Sequence, residues 1–134
     1  MSIEIKKSDI TAIVDFLYKL NLSELDSIRR TRIIKYLEKH VNQIQKDYVE
    51  LLRLHTGVDE DTPLDKIDQD MIKDKDKFIK NREELFAETL IIEDGNIIKS
   101  FDRMKEILPK LTEKWSGRDA DAYFALFEAL KIDI

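Results

Sequence analysis

The chain contains no cysteine among its 134 residues. Disulfide bridges, thiolate zinc sites and cysteine nucleophiles are therefore excluded, and the composition is compatible with a reducing, intracellular environment. Glycine is almost as scarce, because only Gly57, Gly95 and Gly117 are present and they stand far apart. A loop that cradles phosphates needs several glycines close together, so the sequence predicts no nucleotide-phosphate site.

Histidine occurs only at His40 and His55. On one helix these two residues would be about 22 Å apart along the axis, so they cannot share a metal ion. A group of acidic residues also misses the calcium-loop pattern, which needs a central glycine and a terminal glutamate. These acids are Asp59, Asp61, Asp65, Asp68 and Asp70. No serine has a histidine and acid or elbow glycines beside it, so we predict no catalytic residue, cofactor or metal ligand.

Long apolar runs are also missing, since none approaches the roughly 18 residues that a membrane-spanning helix requires. The N-terminus lacks the basic segment and apolar core of a secretory signal. We therefore expect a soluble chain that makes no membrane contact. With 43% hydrophobic and 38% charged residues, the composition suits a single helical domain over residues 1–134 with a modest core.

The charge of the chain is −5 and is unevenly distributed. Residues 1–56 carry ten lysines and arginines against eight acids, whereas residues 83–134 carry seven against twelve. An acidic chain without a dominant basic face is a poor candidate for nucleic-acid binding. Three of the seven arginines fall within four positions, at Arg29, Arg30 and Arg32. We expect them to pair with the acidic C-terminal half, with contact to a partner protein as the alternative.

The longest helical pattern covers Ser23 to Thr56, with Ser23 or Ser27 as the N-cap and Gly57 as the C-terminal cap. Large side chains recur at spacings of three and four, which is typical of one apolar stripe. The stripe consists of Ile34, Leu37, Val41, Ile44, Tyr48, Leu51 and His55. A second helix is predicted from Leu64 to Phe86, and the short acidic loop between them favours an antiparallel hairpin. The residues expected to be buried against that second helix are Leu37, Val41, Ile44 and Leu51.

Shorter elements are predicted around this hairpin. Alternation at 3–6 and a β-branched run at 88–92 indicate a small two-stranded β element. Helices are expected at about 8–20, at 97–113 and from Ser116 to about Lys131. Ile97 and Ile98 would also suit a returning strand, but the later apolar spacing favours a helix, which Pro109 should kink or shorten. The predicted fold class is therefore mainly α, with about five helices around a long central helix.

The last helix begins at Ser116-Gly117-Arg118-Asp119, which has the form of a capping box. The residues that this helix is expected to bury are Ala120, Tyr123, Phe124, Phe127 and Leu130. Trp115 precedes the cap and is interpreted as a hydrophobic staple, with a surface anchor as the alternative. The candidate partner contacts are Arg29, Arg30, Arg32 and Trp115. In a symmetric dimer formed through the turn that carries these arginines, the two copies of the turn would face and repel each other. We therefore expect a monomer, or a weak dimer whose interface lies elsewhere.

Four segments, taken in order, resemble a family of small uncharacterised proteins encoded by phages and prophages of Gram-positive bacteria. They are Asp15-Phe16-Leu17, Ser27 to Lys35, Ser116 to Tyr123 and Leu126 to Leu130. The resemblance carries over no catalytic or binding residue. It implies a phage setting, in the host cytoplasm or associated with the virion, and a small accessory protein that acts by contact.

We therefore expect a non-enzymatic protein that binds a phage or host protein, in virion assembly or as an accessory to it. The alternative is an inhibitor of a host or defence protein, a role that suits a small, acidic helical fold through electrostatic complementarity. The third and least favoured hypothesis is a metal-dependent enzyme that uses acidic residues.

Overall fold

The computed structural model describes residues 2–133. Within that range it contains two strands, β1 (Ile3–Lys6) and β2 (Thr89–Ile92). It also contains five α-helices, which are α1 (Lys7–Tyr18), α2 (Glu24–Thr56), α3 (Lys75–Ala87), α4 (Gly95–Ile107) and α5 (Gly117–Ala129). Short 3-10 turns lie at Leu64–Lys66, Gln69–Met71 and Leu108–Lys110. The predicted mainly α fold with a small sheet is confirmed.

The two strands pair in antiparallel register, with Ile3 opposite Ile92 and Ile5 opposite Leu90. Ile3, Ile5 and Ile92 are buried, whereas the alternate residues Glu4 and Ile91 face solvent. This alternation is the pattern of a sheet with one face on the core. The sheet thus brings the start of the chain beside the segment between α3 and α4, as the sequence predicted.

The long helix α2 ends where the sequence predicts. Gly57 adopts the left-handed conformation, with φ of 71°, and its N–H donates to the Arg53 carbonyl at 2.8 Å. A side chain at this φ would be strained, so glycine suits the position. At the other end Ser23 is the N-cap residue, although its side chain makes no capping hydrogen bond.

One continuous apolar core joins α1, α2, α4, α5 and the sheet. Phe16 of α1 lies fully buried within it, and its ring meets Trp115 and Tyr123 edge-on at centroid distances of 4.8 and 5.7 Å. The side chains that α2 buries in this core are Ile33, Ile34, Leu37 and Ile44. Because these four share one stripe, the opposite face of α2 is left to solvent.

The second long helix predicted from Leu64 to Phe86 is wrong in its first half. Only Lys75–Ala87 is α-helical, and two 3-10 turns precede it. Asp68 accepts the Asp70 N–H at 3.2 Å, and Asp74 accepts the Lys77 N–H at 3.1 Å. Each aspartate therefore starts a new local element instead of continuing a helix, which is the usual competition between short acidic side chains and the backbone.

The predicted burial against residues 64–86 is also only partly correct. Leu37 and Ile44 are buried, but in the main core, whereas Val41 and Leu51 are half-buried. Helix α3 packs antiparallel on the C-terminal half of α2, where Phe78 lies 5.4 Å from His55 and 6.2 Å from Tyr48 between ring centroids. The hairpin exists, but α1 and α4 cover the N-terminal half of α2.

The last two helices differ in detail from their predicted forms. Helix α4 starts at Gly95 and ends at Ile107, where a 3-10 turn containing Pro109 shortens it. Phe124 of α5 is 51% exposed, and the buried residues of that helix are Ala122, Leu126 and Phe127. The predicted capping box is absent, because Ser116 makes no capping hydrogen bond and the Asp119 carboxylate instead pairs with Lys19 at 2.9 Å.

Candidate protein-contact surface

The solvent face of α2 carries charge of one sign over its central part. Between residues 28 and 46 of this helix, every exposed charged side chain is a cation. These cations are Arg32, Lys35, Lys39 and Lys46, and we call them the basic face. They are separated by three, four and seven residues, so they lie along one side of the helix over about 21 Å.

The one acid within that segment is withdrawn from the basic face. Glu38 is half-buried and accepts a hydrogen bond from the Tyr18 hydroxyl at 2.9 Å. This contact ties α1 to α2 and raises the pKa of Tyr18, because the hydrogen bond to a carboxylate favours the protonated phenol. The other exposed positions between residues 28 and 46 are uncharged, namely Ile28, Thr31, Asn42, Gln43 and Gln45.

Two large apolar side chains lie at the N-terminal end of the basic face. Leu25 is 60% exposed and Ile28 is 49% exposed, although both belong to the same helix as the core stripe. We call this pair the apolar end. A single exposed leucine is ordinary, but an apolar pair next to a run of cations gives a partner both contact area and charge to recognise.

The structure separates the three arginines that the sequence grouped together. Arg30 turns toward α1, where its guanidinium donates to the Leu20 carbonyl and, at 3.2 Å, to the Ser27 hydroxyl. Arg29 pairs with Asp26 at 3.2 Å, one turn earlier on the same helix. Arg32 alone remains exposed on the basic face.

The expected pairing of these arginines with the acidic C-terminal half is therefore wrong for the part of the chain that the structure describes. The two halves do pair, but through other residues. Lys19 pairs with Asp119, Lys7 pairs with Glu88 at 2.7 Å, and in the opposite sense Arg103 of the C-terminal half pairs with Asp26. Arg29 and Arg30 are instead engaged within the N-terminal half, and no carboxylate of residues 2–133 lies within 4 Å of the Arg32 nitrogens.

A groove of about 630 Å³ runs between α2 and α4 beside the basic face. Arg103, which lines this groove, donates to Asp26 through Nε at 2.8 Å and through a terminal nitrogen at 3.1 Å, and it also donates to Glu106 at 2.8 Å. Arg103 holds the pKa of Asp26 below its usual value, and Asp26, followed by Glu106, raises the pKa of Arg103. This network fixes the N-terminal part of α2 on α4.

Asp26→Asn tests this network through its pH dependence. Because the pKa of Asp26 is lower in the folded than in the unfolded chain, its pairing stabilises the fold above the unfolded pKa and is lost as the pH falls through the folded pKa. We expect wild type to be more stable than Asp26→Asn at neutral pH, and the difference to shrink below about pH 4. Urea unfolding of both proteins between pH 2 and pH 7 measures this, and a constant difference would contradict it.

Trp115 lies apart from the arginines. Its ring packs edge-on against Phe16 of α1, and it is partly buried against the main core. Its indole N–H is buried with no hydrogen-bond partner in residues 2–133. The residue therefore anchors the segment before α5 to the core, and it does not line the groove between α2 and α4.

Most of the basic face was not predicted. The conspicuous arginines are adjacent in sequence, whereas Lys35, Lys39 and Lys46 are adjacent only on the helix surface. The available signal was their spacing of four and seven residues, opposite the apolar stripe. Residues 1–56 contain ten cations and eight acids, and this near balance gave no indication of a basic face. A count of charges does not show which side of the helix each charged residue occupies.

The two histidines of α2 have separate surroundings. The His40 ring lies 5.0 Å from the Tyr36 ring, and burial, followed by the positive charges of Lys7 and Lys39, lowers its pKa. His55 Nε2 lies 3.2 Å from the Asn81 side-chain nitrogen on α3. His40 thus belongs to the surroundings of the sheet and the basic face, and His55 to the contact between α2 and α3.

Three further findings concern the chain as a whole. Within residues 2–133 there is no group of three or more histidine or acidic side chains placed to hold a metal ion. None of the helices in that range combines the length and the apolar character needed to cross a membrane. Comparison with protein-family models, with curated proteins and with solved structures found no match.

Proposed function

We propose that this chain is a non-enzymatic accessory protein of a phage or prophage that binds another protein through the basic face of α2. The observation that carries the proposal is the run of four exposed cations between residues 28 and 46 of α2, a segment of the helix with no exposed acid, next to the apolar end. The phage setting, in the host cytoplasm or in the virion, comes from the sequence resemblance. The partner is a phage or host protein, and the chain would act as a monomer or a weak dimer.

The basic face defines the chemistry of this partner. Cations spaced over about 21 Å of one helix are complementary to carboxylates spaced along a helix or an extended segment. Leu25 and Ile28 would then be covered by apolar side chains at one end of that segment. Such charges mainly accelerate and orient association, and the apolar contact supplies much of the affinity.

A protein suits this surface better than a nucleic acid does. Double-stranded DNA carries one charge per roughly 1.7 Å of axis, and its binding proteins commonly contact 6–10 phosphates, whereas the basic face offers four cations. The apolar end also has no counterpart on a sugar-phosphate backbone.

Charge reversal on the basic face is the direct test. We expect a Lys35→Glu/Lys39→Glu double variant to lose the partner that the wild-type chain captures from cells in which the phage is active. Both lysines are exposed, so the fold should change in stability by no more than about 0.5 kcal/mol per site. The matched control is Lys77→Glu/Lys80→Glu, which reverses two exposed lysines on α3 and should keep the partner.

The capture is made after nuclease treatment and compared by quantitative mass spectrometry. The proposal would be contradicted if the captured partner were lost from both double variants or retained by both. It would also be contradicted if the wild-type chain captured the partner only when nuclease was omitted. The identity of the lost protein then decides the role. A structural phage protein favours a part in virion assembly, and a host enzyme or defence protein favours inhibition.

A further inference from the structure

A cavity of about 340 Å³ lies beside the C-terminal half of α2, where α3 and the preceding turns meet it. Tyr48 and Leu52 of α2 form one wall, and Phe78 and Ile79 of α3 form another. Ile67, Ile72 and the side chains of Asp68 and Gln69 complete it from the turns. Pockets that hold small ligands begin at about 300 Å³, so this cavity suits one or two rings but not a dinucleotide.

The cavity exists because the segment before α3 packs loosely. No residue from Gly57 to Lys77 is buried, although this stretch contains several large apolar side chains. Ile67 and Ile72 are half-buried at the cavity, since the aspartate-capped turns hold them away from the stripe of a continuous helix. The segment is nevertheless held in place, because Arg53 donates to the Thr62 carbonyl at 2.9 Å and the Lys73 N–H donates to the His55 carbonyl at 3.0 Å.

The charged groups at this cavity favour an anion. The Arg82 guanidinium carbon lies 5.9 Å from the centroid of the Phe78 ring, and no carboxylate of residues 2–133 lies within 4 Å of its nitrogens. Lys75 adds a second cation, and the single acid at the cavity, Asp68, already accepts the Asp70 N–H. An arginine held over an aromatic ring is placed to bind a carboxylate while the ring contacts an apolar group.

We propose that this cavity binds a small aromatic carboxylate. Its ring lies among Tyr48, Leu52 and Ile79, where the buried Phe78 also lines the cavity. Its carboxylate pairs with Arg82, with Lys75 nearby. The site is separate from the basic face, so the two proposals are tested independently. A cavity that binds no carboxylate would not contradict the proposed protein contact, and loss of that contact would not contradict the cavity site. Binding would bury more of Leu52, Ile67 and Ile72 and would stabilise the segment before α3.

The test uses two probes with the same ring system and opposite charge, 2-naphthoate and 2-naphthylmethylamine. Each is titrated into the full-length ¹⁵N-labelled protein, and the amide shifts are followed by NMR. We expect 2-naphthoate to give saturable shifts confined to the residues around the cavity, and the amine to bind at least about tenfold more weakly. Arg82→Gln should weaken naphthoate binding by about tenfold, while Arg118→Gln on α5 should leave it unchanged.

A second variant tests the cavity itself. Ile72→Trp fills the space without changing charge, and it should abolish naphthoate binding while the remaining amide spectrum stays that of the folded protein. The absence of saturable shifts at millimolar naphthoate would overturn the proposal. Equal affinity for the two probes, equal affinity in Arg82→Gln and wild type, or shifts located away from α3 would overturn it as well.

Discussion

Replacing Phe16 by alanine is expected to lower the free energy of unfolding by about 3–5 kcal/mol. Phe16 is fully buried where α1 meets α5, and the rings of Trp115 and Tyr123 pack against it in edge-on arrangements. Truncation removes the buried ring, leaves a cavity and releases Trp115 and Tyr123 from their packing partner. Urea unfolding of wild type and variant, followed by circular dichroism, measures the difference.

Phe124→Ala is the matched control for this prediction. It removes the same ring from α5, but Phe124 is 51% exposed, so we expect a loss of no more than about 1 kcal/mol. The ratio between the two variants tests the rotation of α5 about its axis. Equal losses would mean that Phe124 points inward, as the sequence pattern indicated, and that α5 is turned relative to the structure.

The ends of elements were predictable where one residue type decides them. Gly57 ends α2 because a left-handed residue is needed there, and Pro109 interrupts α4 because proline cannot continue the hydrogen-bond pattern. The alternation in Ile3–Lys6 was likewise enough to place a half-buried strand. These are local requirements, which a single sequence carries in full.

The segment before α3 was not predictable from periodicity. Leu64, Ile67 and Met71 have helical spacing, but Asp68 and Asp74 bond to backbone N–H groups two and three residues ahead. That local bond competes with a helix, and spacing alone does not show which one wins. On α5 the prediction was correct for Phe127 and Leu130 but wrong for Phe124, since alanines on several sides of the helix leave the edge of its apolar stripe poorly defined.

The candidate surface was not predicted correctly for a different reason. The arginine group was conspicuous in sequence, yet Arg30 points inward to Leu20 and Arg29 pairs with Asp26. The cations that remain exposed lie on separate turns of α2. They lie on the same side of the helix but are not adjacent in sequence. Their spacing opposite the predicted apolar stripe indicates a shared side, but which cations stay unpaired depends on contacts with other parts of the chain, such as that of Arg30 with Leu20.

The second large effect is expected at Ile44, the last residue that α2 buries in the main core. Ile44 is 8% exposed, so Ile44→Ala should cost about 2–4 kcal/mol. Val41, one turn earlier, is only half-buried, and Val41→Ala should cost about 1 kcal/mol. Both values are measured by urea unfolding under the conditions used for Phe16→Ala.

This order of effects tests how α2 is held. If α3 covered the whole apolar stripe, as a simple hairpin would require, Val41 and Ile44 would be buried alike and their truncations would cost similar amounts. In the structure Ile44 belongs to the core shared with α1 and α4, whereas Phe78 of α3 lies outside that core. Losses under about 0.5 kcal/mol at both sites would be those of surface residues and would mean that this part of α2 is not packed as described.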